Sequence, residues 1–154
     1  MPSDAVLMST MQKNALEIRR LHQRIHDTSR TRDRGPNARE AWQSACAEFH
    51  RQYDRLAFPG GYAGALDRIL SSNLQTIDAA LCFVQCRPYF YRSGYMFKDL
   101  LRKLKRAPMD AGRAKRLQAV LKAYADYRNQ RRLHRASGAD GSEENARSRF
   151  PAES

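Results

Sequence analysis

Two pairs of metal-ligating side chains stand four residues apart in this chain: His22 with His26, and Cys82 with Cys86. On a helix that spacing puts both members of a pair on one face, so two crossing helices would offer a tetrahedral zinc site. The residues around them favour packing instead. Cys82 lies in the most apolar stretch of the chain, where a free thiol behaves as a small hydrophobe. The histidines border the apolar stripe of their helix, and structural zinc sites use tighter loop spacings. No metal and no cofactor is expected. Asp78 is the lone charge in that same apolar stretch and needs a cation if it is buried; Arg87 and Arg92 are the near candidates. No histidine or second carboxylate is tied to it by spacing. The run PGGYAG ahead of a short helix has the glycines of a phosphate loop but lacks the lysine and serine that would follow, and reads as a turn. No serine elbow, catalytic carboxylate pair or metalloprotease motif occurs, so the chain is not expected to be an enzyme.

The chemistry that remains is electrostatic and aromatic. RPYFYRSGYMFKDLLRKLKRAP, residues 87 to 108, concentrates five aromatic side chains and seven cations. Over 94–106, Phe97, Leu100, Leu101 and Leu104 share one helical face, while Lys98, Arg102, Lys105 and Arg106 share another. Asp99 is expected to pair with Lys103, four residues on. The leading RPYFYRSGY is a connector dense in tyrosine. Phe90 is expected to plug the core, whereas Tyr89, Tyr91 and Tyr95, with Arg92, combine ring faces that stack with hydroxyls that tolerate water. Farther on, Arg128, Arg131, Arg132 and Arg135 gather in the last turns of a long helix, where cations suit the negative end of the dipole.

These clusters dominate the charge of the whole chain. Its 154 residues carry a net charge of +12, and residues 92–135 hold 14 Lys or Arg against Asp99, Asp110 and Asp126. A localised excess marks an anionic partner more strongly than an even sprinkling does. Against that stands composition: 22 of the 28 cations are arginine, a bias that also raises the pI of proteins with no anionic ligand. The partner expected is an acidic protein or nucleic acid. Contact with an anionic membrane through the amphipathic basic helix is the weaker alternative. A helix-turn-helix is disfavoured, because the connector is long for such a turn and starts with proline.

The elements that position these residues follow from an apolar period that is helical almost throughout. A first helix over residues 1–27 has Ser3 as cap and Leu7, Met11, Ile18, Leu21 and Ile25 as stripe. Residues 28–36, polar and closing on Gly35-Pro36, read as a linker. A helical core domain spans 37–136. Its first helix is expected to be capped by Asn37, with Glu40 completing a capping box. FPGGYAG breaks that helix and a short one follows. Ser72 or Asn73 then caps a helix apolar on nearly all faces from Ile77 to Val84, which is the mark of a central element. Ser93 and Asp110 cap the last two. Residues 137–154 have no apolar period and are expected to be a disordered tail. The fold class predicted is all-α: a single domain of five or six helices packed as successive hairpins, a style similar to HEAT-like repeats. No run of about 18 apolar residues occurs, so no membrane span is expected. The N-terminal segment lacks the pattern of a secretory signal, and three cysteines are too few and odd in number for a disulfide scaffold. A cytoplasmic location is the expectation.

From ALCFVQC through the turn Tyr91-Arg92-Ser93-Gly94-Tyr95 to RLQAVLKAYADYRNQR, about residues 66 to 132, the chain resembles a group of α-helical proteins. They share a Phe/Tyr-Arg-Ser-Gly-Tyr turn ahead of a basic helix. The resemblance implies a helical fold and attaches no activity to it.

Taken together, these readings describe a non-catalytic interaction module with a basic C-terminal face, or a dedicated RNA- or DNA-binding protein that is largely indifferent to sequence.

Overall fold

A computed structural model describes residues 2–138. The expected disordered tail, beyond its first two residues, lies outside the described residues. Among those described the chain is all-α, with six α-helices and one short 3-10 helix.

Helix α1 (Asp4–Ser29) starts where Ser3 accepts the amide of Val6 at 3.3 Å, and it turns through a 3-10 helix at Arg32–Arg34 into α2 (Pro36–Ala57). There Arg32 lies 4.9 Å over the Trp42 ring. Helix α2 does not begin as Asn37 suggested. Gly35 occupies the cap, without a side-chain bond, and Pro36 is the first helical residue. Proline suits that position because its fixed φ is helical and its missing N–H would have had no partner there. Helices α1 and α2 form an antiparallel hairpin closed by Met11, Ala15, Ile18 and Leu21 on one side and Ala45, Phe49 and Leu56 on the other, all buried.

Residues 58–64 leave α2 as a tight loop into α3 (Ala65–Leu70). Arg68 clamps it by donating to the carbonyls of Gly61 at 3.0 Å and Ala63 at 3.1 Å, while Asp54 accepts the Ala63 amide at 2.9 Å. Gly61, at φ 87°, sits so close to Asp54 that a Cβ there would fall 2.7 Å from its carboxylate. The loop thus turns carbonyls toward an arginine. A phosphate loop would turn amides toward its ligand.

Asn73 caps α4 (Leu74–Cys86), accepting the Thr76 amide at 2.9 Å. Ile77, Ala80, Leu81, Phe83 and Val84 have no exposed surface, so α4 is the central element, as its sequence required. Helix α5 (Ser93–Leu104) covers it through Met96, Phe97, Leu100, Leu101 and Leu104. Asp110 caps α6 (Ala111–Ala136), which adds Leu117 and Val120 to the buried set. The first half of α6 is fixed by charge. Arg113 donates to both oxygens of Asp78, at 2.7 and 3.0 Å, and also to Asp110. Asp78 therefore pairs with Arg113 and not with Arg87 or Arg92, because α6 crosses α4 at this point. Arg116 reaches Asp4 at 3.1 Å and Gln85 at 2.7 Å. Helix α1 contributes to the same buried cluster as α4, α5 and α6.

Candidate functional site

The connector between α4 and α5 is built by two left-handed residues. Arg87 ends α4 at φ 49°, and Arg92, at φ 67°, is the cap of α5. Ser93, expected as that cap, is instead the first helical residue, and its hydroxyl accepts the Phe90 amide at 3.1 Å. This bond folds the segment inward, so that Phe90 is buried edge-on to Phe83 and Tyr53. The Tyr53 hydroxyl donates to the Tyr91 carbonyl at 2.7 Å and fixes the outer half. With Phe90 as the plug, Tyr89, Tyr91 and Tyr95 are left 41%, 44% and 43% exposed.

Their neighbours come from α1. His22 stacks on Tyr91, with ring centroids 4.8 Å apart and planes 25° from parallel, and its other contacts are the rings of His26 and Phe49. Burial, and then the charge of His26, hold His22 below its ordinary pKa, so it is neutral at pH 7. Arg19, one turn back on α1, lies 5.7 Å from the centre of the Tyr89 ring. Arg92 lies 5.4 Å from Tyr91 and 5.8 Å from Tyr95. Between α1 and the connector is a cavity of about 580 Å³ whose walls include no acidic residue. Spacing alone marked Tyr89, Tyr91, Arg92 and Tyr95. It gave no sign of Arg19, and it marked His22 only as a metal ligand with His26; both share one face of α1 and reach the connector only through the packing of that helix.

The basic residues divide by position. On α5, Lys98 is half-buried and Arg102 is exposed; Lys105 and Arg106, just past its end, are exposed too. Asp99 pairs with Arg102 at 3.4 Å, not with Lys103, and also accepts the Tyr62 hydroxyl at 3.4 Å. The chain then reverses over 105–110, and Tyr124 of α6 meets Phe97 near the start of α5, with centroids 5.2 Å apart. Lys105 and Arg106 consequently stand at one end of this pair of helices. Arg128, Arg131, Arg132 and Arg135 stand beyond the other. Past Tyr124 no apolar residue of α6 among those described belongs to the core cluster, although Tyr127 and Arg131 are half-buried. Steps of three, four and seven align these four arginines as one stripe, flanking a shallow hollow of about 390 Å³ that includes Tyr127 and Asn129. Arg128 rests over Tyr124, and Arg132 donates to Asn129 at 3.1 Å.

The histidine and cysteine pairs are held apart. Cys86 touches Met11, and Cys82 lies between Asp4 and Arg116, so both thiols sit near the start of α1. His22 is eleven residues beyond Met11, about 16 Å along the helix, and His26 lies one turn farther. Among the described residues no group of three or more ligating side chains could hold a metal ion. Burial pushes the Cys86 thiol up to about 11 and raises Cys82 as well, so both are protonated near neutrality and neither is an activated nucleophile.

No helix among the described residues is long and apolar enough to cross a membrane. The chain matches no protein-family model, no curated protein and no solved structure.

Proposed function

We propose that this chain is a non-catalytic helical module that docks onto nucleic acid through its basic C-terminal surface, without reading sequence. The observation behind this reading is the stripe of Arg128, Arg131, Arg132 and Arg135 along one face of α6, past the last apolar residue of that helix in or against the core cluster. Like charges one turn apart weaken a helix, by about 0.2–0.5 kcal/mol per pair. A polyanion laid along that face would relieve this repulsion. Guanidinium forks match phosphate oxygens in shape as well as charge, and the exposed Arg102, Lys105 and Arg106 add a second basic cluster toward the opposite end of α5 and α6. Indifference to sequence follows from the connector between α4 and α5, too long and too constrained by Pro88 to be the turn of a helix-turn-helix. The cytoplasm suits three free cysteines.

An acidic protein is the second reading, and salt separates the two. Binding of a labelled single-stranded RNA is expected between about 50 and 200 mM salt, with a log–log slope near −0.7 for each phosphate neutralised, hence about −2 to −3. Changing all four arginines to glutamine should flatten that slope while helical circular dichroism persists. No binding to single-stranded or duplex nucleic acid at about 50 mM salt would overturn the proposal.

A further inference from the structure

We propose that the cavity between α1 and the connector is a nucleotide site, with the base against the tyrosines and the 5′-phosphate held between Arg19 and Arg92. This goes beyond docking by the α6 stripe and uses different residues. The volume, about 580 Å³, lies within the range of small-molecule sites. The walls supply what a nucleotide requires and omit what would repel it. Tyr89, Tyr91 and Tyr95 are each partly exposed; the first two are presented by a connector pinned at Phe90 and at the Tyr91 carbonyl, and Tyr95 by the first turn of α5. Base stacking on such rings tolerates any base, since every base has a π face. Arg19 and Arg92 have no carboxylate partner among the described residues; each rests on a tyrosine ring instead. A ring contact at an exposed site is weak beside a charge-assisted fork onto phosphate, so both guanidiniums can turn to an anion at little cost. His22 stacks behind Tyr91 and stiffens that wall.

The backbone gives an independent reason. Arg92 stands at φ 67°, where glycine would be unstrained and a side chain is not. Such strain is held where a side chain must be aimed. Here it places a guanidinium between two tyrosine rings at the mouth of the cavity.

Titration with adenosine 5′-monophosphate, followed by tyrosine fluorescence or calorimetry, tests the site. Saturable binding is expected below about 1 mM. Adenosine and inorganic phosphate should each bind at least about tenfold more weakly, since each lacks half of the recognised chemistry. Arg19→Gln and Arg92→Gly should each weaken the nucleotide about tenfold; the second removes the guanidinium and the backbone strain together, so loss of the fold does not explain its effect. The α6 arginine-to-glutamine variant should bind the mononucleotide unchanged, so the two proposals fail separately. Oligonucleotides with and without a 5′-phosphate decide the source of the ligand. A preference for the phosphorylated strand over the free nucleotide assigns the cavity to a strand end, and the reverse order assigns it to a free nucleotide. The inference is overturned by no binding at about 1 mM, by equal binding of adenosine and the monophosphate, or by indifference to both arginine substitutions.

Discussion

The phenol of Tyr53 holds the aromatic connector by a bond that only its protonated form can make. It donates to the Tyr91 carbonyl, and Tyr62 likewise donates to Asp99. Burial raises both phenols from about 10 to about 12. An acid whose folded pKa lies above its unfolded value favours the fold while protonated, so that stability is fully present below pH 10 and is lost as pH climbs toward 12. Thermal melts should therefore fall between pH 10 and 12, and the Tyr53→Phe, Tyr62→Phe double variant should show a shallower decline; an equal decline would place the alkaline weakness elsewhere. Some residue roles were legible beforehand. Phe90 is bulky, has no polar atom, and stands between tyrosines that can meet water, so its burial could be foreseen. Others had no local signal. The partner of Asp78 is 35 residues distant, and Arg19 and His22 meet the tyrosines only after α1 docks.

Helix α4 shows how far apolar patterning reaches. A segment without a polar face has to be surrounded, and Leu81 is fully buried at its middle. Leu81→Ala should cost about 2–5 kcal/mol in urea unfolding through the cavity it leaves. A loss below about 1 kcal/mol would mean that neighbouring helices collapse into the space or that the position is not core. Caps were readable where a short polar side chain directly precedes the apolar period, as at Ser3, Asn73 and Asp110. They were misread where backbone geometry decides. Gly35-Pro36 starts α2 without any side-chain bond, and a left-handed Arg92 starts α5. The basic stripe on α6 was visible as composition, but that it lies past the last apolar contact of that helix with the core was not, because helical period continues whether or not a neighbour covers it.

For the molecule as a whole, the number and order of helices followed from periodicity, while their closure rests on charges that periodicity does not report. Asp78, Arg113 and Asp110 lock α6 across α4, and the two carboxylates hold the Arg113 guanidinium further into its charged range. Arg113→Ala should lower the urea midpoint, and Asp78→Asn added to it should lower it by less than the two changes separately; simple additivity would show that the pair is not coupled. Asp4 and Arg116 join the start of α1 to the second turn of α6, with Cys82 of α4 beneath them. The opening and closing segments of the fold are thus sewn to each other over its middle. A polypeptide emerging from the ribosome can pair α1 with α2 early, but the join between Asp4 and Arg116 closes only once Arg116 has cleared the exit tunnel.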